Sequence, residues 1–161
     1  MTTKPHEIPD ALVNECICLH TRRAARLLSR HYDEAFAPLG LTNGQYATLR
    51  ILAHNKRIGL QELAERLVMD RTTLTAAMKP LERRNLVAIT PDPRDRRARL
   101  IALTPAGTAL LKRATSVWKE VQVSVAARLG VAEVATLLDG LRSVSALRTY
   151  SDQHDEAERS A

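Results

Sequence analysis

The densest group of chemically capable side chains in this 161-residue chain is an arginine cluster within ITPDPRDRRARLIALTPAG, residues 89–107. Its four members are Arg94, Arg96, Arg97 and Arg99. Guanidinium groups are planar, permanently charged donors that pair well with phosphate or carboxylate oxygens. The cluster surrounds a proline-rich turn between two short apolar stretches, which is the pattern of a β-hairpin. These arginines therefore either solvate a hairpin or hold a negatively charged partner.

The distribution of charge favours a nucleic-acid partner. Lysine and arginine number 24 against 18 acidic residues, so the formal net charge is +6. Nine basic and four acidic residues lie between Arg66 and Arg99, and this fifth of the chain supplies five of the six surplus charges. A basic surplus also suits other anionic surfaces. Aromatic residues make up only 3% of the chain, which argues against single-strand binding on aromatic platforms.

Two short helices joined by a tight turn are predicted in LQELAERLVMDRTTLTAAMKPLERRNLV, residues 60–87. The first helix carries apolar residues at helical spacing, and the second begins after Asp70, a good N-cap residue. Ala64 supplies the small side chain that two crossing helices need. This is the helix-turn-helix pattern. The usual glycine of the turn is absent, and Val68 or Met69 stands there. Pro80 is expected to kink the second helix.

The remaining sequence predicts two helices before this unit, and a hairpin and two helices after it. The first helix opens at Pro9 and Asp10, and its apolar residues recur at three- and four-residue steps, namely Leu12, Cys16, Leu19, Ala24, Leu27, Leu28 and Ala35. Thr42 and Gln45 have capping-box spacing, so the second helix runs from about Asn43 to Ala53. A minimal strand is predicted at residues 58–60.

Strands are expected in LVAIT and RARLIALT, on either side of a turn that contains Pro91 and Pro93. Thr104 with Pro105 predicts the start of a long helix that ends near Leu129. A last helix would hold six apolar residues, namely Val134, Leu137, Leu138, Leu141, Val144 and Leu147. The predicted fold is mostly α (α+β): a winged helix-turn-helix with a two- to three-stranded wing sheet, flanked by N- and C-terminal helices.

Two segments, ELAERLVMDRTTLTAAMKPLERRNLV and DPRDRRARLIALTPAG, resemble the MarR family of transcriptional regulators, and the likeness extends from about Leu12 to Leu147. The resemblance implies a homodimer formed by terminal helices at residues 1–40 and 105–150, and a DNA-binding domain at residues 41–104. It implies a double-stranded DNA partner with a pseudo-palindromic operator, and usually a small ligand or an oxidant that releases the DNA. We expect residues 151–161 to form a flexible tail.

By this resemblance, the helix after Asp70 would enter the major groove, which is wide enough for one α-helix. The side chains expected to contact DNA there are Arg71, Thr72, Thr73, Thr75 and Lys79. The alternative for the threonines is helix capping by Asp70 and Thr73.

In the wing, Arg97 aligns with the arginine that enters the minor groove in family members, and Asp95 would orient it. Arg94 and Arg96 would face phosphates, and Arg99 completes the cluster. The alternative is a solvated hairpin whose ion pairs contribute little. Two further arginines, Arg83 and Arg84, are either a solvated helix end or phosphate contacts.

A ligand pocket between the dimer helices and the DNA-binding lobe is also a family expectation. The side chains that could line it are His20, Arg23, His31, Tyr46 and Trp118. Core packing explains Tyr46 and Trp118 equally well.

The two cysteines offer a redox alternative. Cys16 and Cys18 are predicted on one helix, about 200° apart, so a local disulfide is not expected. Cys18 falls where the family's organic-hydroperoxide sensors have a reactive cysteine, and Tyr32 matches one cysteine-contacting tyrosine. Arg22 and Asn43 replace the other two, although Arg22 would favour the thiolate. The alternative is that both cysteines are small apolar residues in a dimer interface.

No catalytic motif is present, no cofactor or metal site is predicted, and an enzyme is not expected. The N-terminus lacks an apolar signal core and no apolar run has membrane length, so we expect a cytoplasmic protein. Three hypotheses follow: a ligand-responsive repressor, an oxidant-sensing repressor that uses Cys18, and an architectural DNA-binding protein without an effector. A sequence-specific footprint would separate the first two from the third.

Overall fold

The structure, a computed structural model, describes residues 15–95 and 98–147. Seven helices and three strands follow one another in these residues: α1 Ile17–Phe36, a short 3-10 helix Ala37–Leu39, α2 Asn43–Asn55, β1 Ile58–Gly59, α3 Leu60–Leu67, α4 Arg71–Arg83, β2 Val87–Pro91, β3 Arg99–Leu103, α5 Pro105–Leu129 and α6 Val131–Ser145. The predicted mostly helical winged helix-turn-helix with a small sheet is confirmed. Two compact units divide between Lys119 and Glu120.

The three strands form an antiparallel sheet in the order β1-β3-β2. Ile58 of β1 and Ile89 of β2 both lie opposite Ile101 of β3, which is fully buried. Pro91 was expected in the turn but closes β2 opposite Arg99. A proline is tolerated there because β2 is an edge strand, where no neighbour needs its missing N–H.

The core of the first unit lies between the sheet and the inner faces of its helices. Helices α2 and α4 present buried apolar residues three or four positions apart, namely Leu49 and Leu52 in α2 and Leu74, Met78 and Leu81 in α4. Ala64, predicted at the helix crossing, is 2% exposed. Burying a Leu-sized side chain contributes roughly 1.5–3 kcal/mol, so these faces fix how the helix-turn-helix packs.

Side-chain caps set the helix starts, as the sequence indicated. Thr42 Oγ1 accepts from the Gln45 N–H (3.2 Å), and Gln45 Oε1 accepts from the Thr42 N–H (3.1 Å), which completes the predicted capping box. Thr104 Oγ1 accepts from the Gly107 N–H at the start of α5 (3.0 Å).

The first described helix begins later than a continuous helix from Pro9 would require. Glu15 and Cys16 are not helical, and Cys16 is the N-cap of α1, with an extended backbone and its Sγ accepting from the Leu19 N–H (3.4 Å). The expectation that Cys16 lies within the same helix as Cys18 is therefore wrong. Residues 1–14, where Pro9, Asp10 and Leu12 were placed, lie outside the described residues, as does the tail 151–161.

The apolar faces predicted for the terminal helices are not buried within the chain. In α1, Leu19 and Leu27 are exposed and Phe36 alone is buried. In α6 no residue is buried, and Leu137, Leu138 and Val144 are all exposed. The periodicity correctly located the helices, but it did not show whether their apolar faces are buried within the chain.

No single helix among residues 15–95 and 98–147 is long and apolar enough to span a membrane. Helices α5 and α6 have the length and composition of a membrane span only when they are counted together as a bent pair, interrupted at Gly130.

Replacing Val68 by glycine is expected to stabilise the protein. Val68 ends α3 in the left-handed region (φ 52°, ψ 47°), and its side chain is 90% exposed. A β-branched residue is strained in this conformation. Val68→Gly should therefore raise the free energy of unfolding by about 1 kcal/mol and the midpoint of thermal unfolding by roughly 2–4 °C. Urea unfolding and calorimetry measure both. Met69→Gly is the control: its φ is not positive, so it should destabilise, and equal losses in both variants would contradict this account.

The cap of α4 should make stability depend on acid pH. Asp70 accepts from the Thr73 hydroxyl (2.5 Å) and backbone N–H (2.7 Å), and these bonds lower the pKa of Asp70. A lowered pKa in the folded state means that the contribution is present above the unfolded pKa of about 3.9 and is lost as pH falls through the folded pKa. The stability difference between wild type and Asp70→Asn in urea unfolding should therefore shrink below about pH 4. A difference independent of pH would contradict this.

Candidate nucleic-acid interface and effector cavity

Helix α4 presents a polar face to solvent because its other face is fixed in the core. Arg71, Thr72, Thr75 and Lys79, together with Ala76, line a shallow groove of about 320 Å³. All four polar residues are exposed. The groove thus combines two cations with two hydroxyls along two turns of one helix, which suits a polyanion.

Thr73 does not line this groove. Its hydroxyl donates to Asp70 Oδ2, so Thr73 belongs to the helix cap. The Thr75 hydroxyl donates to the Arg71 carbonyl oxygen (2.7 Å) and keeps a lone pair free to accept from a partner. The structure therefore brings together four of the five predicted contact residues, and gives Thr73 the capping role offered as the alternative.

The wing lies between β2 and β3. Its turn is braced by Asp92, whose Oδ1 accepts from the Arg94 N–H (2.8 Å) and whose own N–H donates to the Ala98 carbonyl oxygen (3.0 Å). Arg94 and Arg99 are exposed. Arg96 and Arg97 lie outside the described residues, so the minor-groove role of Arg97 and its orientation by Asp95 stay predictions.

Arg84, at the end of α4, has a role that the sequence did not predict. Its guanidinium donates to the carbonyl oxygens of Leu39 (3.2 Å) and Gly40, at the end of the 3-10 helix. The neighbouring Arg83 is exposed, and its side chain forms no hydrogen bond with another described residue.

An open cavity of about 720 Å³ lies beside α2 in the first unit. Tyr46 and Trp118, both predicted for a pocket, stack at 6.4 Å between ring centroids and line it. Arg50 lies over the Trp118 ring, with its guanidinium carbon 4.6 Å from the centroid. The Tyr46 hydroxyl is buried and has no hydrogen-bond partner among the described residues.

The other three predicted pocket residues do not line this cavity. His20 pairs with Glu15 (2.6 Å) at the start of α1, Arg23 is exposed on the same helix, and His31 packs edge-on against Tyr32. Sequence reasoning missed five polar lining residues: Asn43, Arg50, His54, Asn55 and Arg66. The spacing of Tyr46, Arg50 and His54, four residues apart on one helix, is the signal that could have found Arg50 and His54.

The proposed redox residues are separated along α1. Cys18 is exposed near the start of the helix and Arg22 is exposed one turn later. Tyr32 follows Cys18 by 14 residues, which is about 21 Å along a helix, so it cannot contact Cys18 of the same chain. Partial burial, and then the nearby Tyr46, raise the pKa of Tyr32. In the part of the chain that the structure describes, no three His, Cys, Asp or Glu side chains could hold a metal ion.

Comparisons with known proteins agree with this architecture. Residues 41–98 match the sequence model of the MarR family. The transcriptional regulator MosR of M. tuberculosis, solved in complex with DNA, is 37% identical, with 83% of this chain and 100% of that chain covered and a TM-score of 0.68. The transcriptional repressor CouR, solved bound to a 23-mer DNA duplex, is 27% identical over 86% of this chain and 99% of that one, with a TM-score of 0.77.

A third relative is the organic hydroperoxide resistance transcriptional regulator of Bacillus subtilis. It is 27% identical over 63% of this chain and 69% of its own length. MosR is more than one third identical to this chain over its whole length, and the family segment matches the winged helix-turn-helix. The chain belongs to the MarR family.

Proposed function

We propose that this protein is a homodimeric, ligand-responsive transcriptional repressor that binds a pseudo-palindromic operator in double-stranded DNA. The observation that carries the proposal is the groove on α4, where Arg71, Thr72, Thr75 and Lys79 are exposed on a helix anchored by its opposite face. The DNA complexes of MosR and CouR support it. A DNA partner implies the cytoplasm.

Helix α4 would lie in the major groove. Arg71 and Lys79 are eight residues apart, which separates them by about 12 Å along the helix and lets them reach different positions of the duplex. Arg71 can pair with guanine O6 and N7 or hold a phosphate. Thr72 and Thr75 offer hydroxyls to base edges or phosphates and methyl groups to thymine.

The wing would add contacts beside the helix. Arg97 is proposed to enter the minor groove, where narrow A·T-rich segments have an enhanced negative potential that attracts arginine. Asp95 would orient Arg97, while Arg94, Arg96 and Arg99 would neutralise phosphates.

Two copies of the chain would associate through the terminal helices, within residues 1–40 and 105–150. The exposed leucines and valines of α1 and of α6 form apolar faces that a single chain leaves in water. Several large apolar side chains exposed on one element are typical of interaction sites. A second copy offers the same faces, and a symmetric dimer suits an operator of two related half-sites.

DNA binding should be dimeric, with half-site centres about 10 bp apart. If each dimer contacts 6–10 phosphates, affinity should fall by about 10³ to 10⁵ between 50 and 200 mM salt.

Arg71→Ala should cost about 1–3 kcal/mol of operator-binding free energy and relax the preference at one base pair if Arg71 reads a base. Arg97→Ala should weaken binding strongly while the fold and the dimer persist. Footprinting, fluorescence anisotropy and sedimentation measure these effects.

A control for these variants is Arg57→Ala, which removes an exposed arginine before β1, outside the α4 groove, the wing and the proposed dimerisation helices. It should bind like wild type. A flat salt response, or a monomer at micromolar concentration, would contradict the proposal. Coating of DNA without a sequence-specific footprint would favour the architectural alternative.

The cavity beside α2 is proposed to bind the effector, an aromatic acid or a phenol. Tyr46 and Trp118 provide flat apolar walls, and the buried Tyr46 hydroxyl needs a hydrogen-bond partner. The Arg50 guanidinium, which no described carboxylate neutralises, can pair with a ligand carboxylate in two parallel hydrogen bonds.

Benzoates and phenols should therefore raise the melting temperature of the wild-type protein. A ligand at 100 times its dissociation constant adds about 2.7 kcal/mol of stability. Arg50→Ala should weaken carboxylate ligands by about 10- to 100-fold, because a hydrogen bond to a charged group contributes about 1.5–3 kcal/mol. The affinity for phenols should fall less, because a phenol has no carboxylate for Arg50 to bind. A thermal-shift screen followed by calorimetric titration measures these affinities.

Arg66→Ala is the matched control, because Arg66 lines the same cavity but is already paired with Glu62 (2.7 Å). Equal losses of carboxylate affinity in both variants would argue against a specific role for Arg50.

A second experiment tests the oxidant-sensing alternative. Cumene hydroperoxide is expected to leave DNA binding unchanged, and so is Cys18→Ser. Release of DNA by hydroperoxide that disappears in Cys18→Ser would favour the oxidant-sensing alternative.

A further inference from the structure

A polar contact joins the end of α4 to the joint that follows α1, and the proposed DNA contacts leave it unused. Arg84 is the C-cap residue of α4. Its guanidinium donates to the Leu39 carbonyl oxygen (3.2 Å) and to that of Gly40, which lie 45 and 44 residues earlier in the chain. The contact therefore fixes two elements that the sequence keeps far apart.

Gly40 favours this contact through its backbone conformation. Its φ of 62° lies in the left-handed region, which other residues rarely adopt. A Cβ at position 40 would meet Arg84 Nη2 at 3.5 Å, an ordinary van der Waals distance, so the backbone conformation and not the space favours glycine. The glycine thus ends the 3-10 helix, and its carbonyl oxygen accepts from Arg84.

A second polar contact secures the other side of the same joint. Asp33 Oδ1, near the end of α1, accepts from the Asn43 N–H at the start of α2 (2.6 Å). Below the joint, Phe36 and Leu41 are buried in the core. The end of α1, the start of α2 and the end of α4 are thereby held together by two polar contacts over an apolar base.

We propose that Arg84 is a positioning residue for operator recognition: it holds α4 at a set distance and angle from α1. This role rests on the proposed function, in which α1 belongs to the dimer interface and α4 enters DNA. In such a dimer, the relation of α4 to α1 determines the separation of the two recognition helices, which must match the half-site spacing. Arginine suits the task because its planar fork can bridge two carbonyl oxygens, whereas lysine presents one compact ammonium group.

The test uses the full chain and a duplex that the wild-type protein selects from a random DNA library. Two further duplexes carry one base pair more or one fewer between the half-sites. Arg84→Gln, Arg84→Lys and the control Arg83→Gln are compared with wild type by fluorescence anisotropy at 50–200 mM salt. Melting and sedimentation establish that each variant is folded and associates as wild type does.

Both Arg84 variants should bind the selected duplex about tenfold more weakly with an unchanged salt slope, and the penalty for altered spacing should shrink, because the helices are no longer held at one separation. Arg83→Gln should keep the wild-type spacing preference.

Three results would overturn the role. If Arg84→Gln bound the selected duplex with wild-type affinity, the positioning role would be contradicted. A tenfold loss of affinity with an unchanged spacing preference would contradict it as well. Rescue by Arg84→Lys, with a salt slope reduced by about one in Arg84→Gln, would make Arg84 a phosphate contact instead. If the wild-type protein selects no duplex at all, the proposed function fails, and the positioning role fails with it.

Discussion

The burial of one face of α4 is the constraint on which the rest of the structure depends. Leu74, Met78 and Leu81 are all at most 1% exposed, and they fix the rotation of the helix about its axis. Because residues at i, i+4 and i+7 share one side of a helix, Arg71, Thr72, Thr75 and Lys79 must face away from the core. A polar face that is rigidly presented loses little conformational entropy on binding, which is what a recognition surface requires.

The Asp70 cap extends this constraint to the start of the helix. The cap fixes the first turn, so a short local sequence adds to the core packing that sets the position of Arg71. At Val68, two residues before Asp70, the local sequence instead opposes the backbone conformation that the structure requires. There the turn demands a left-handed residue, and the sequence places a β-branched side chain where glycine would be relaxed.

Local signals were sufficient to predict most of the elements and part of the candidate site. The capping box at Thr42, the caps at Asp70 and Thr104, and the apolar spacing in α3 and α4 all act within one or two turns of helix, and each was confirmed. Features that depend on distant residues were not predictable. The pairing of Arg84 with Gly40 spans 44 residues, and the contact of Arg50 with Trp118 joins α2 to α5. Apolar periodicity also cannot distinguish a face buried within the chain from one left for a partner, so the spacing alone did not show that the leucines of α1 and α6 stay exposed.

The joint between α1 and α2 links the two proposed sites. Asn43 lines the effector cavity, and its N–H is held by Asp33 of α1. The same joint is tied by Arg84 to the end of α4. A ligand changes a conformational equilibrium only through different affinities for two states. A ligand that binds between Tyr46 and Arg50 would therefore release DNA if it prefers a position of α2 in which this joint is displaced, because Arg84 would carry that displacement to the recognition helix.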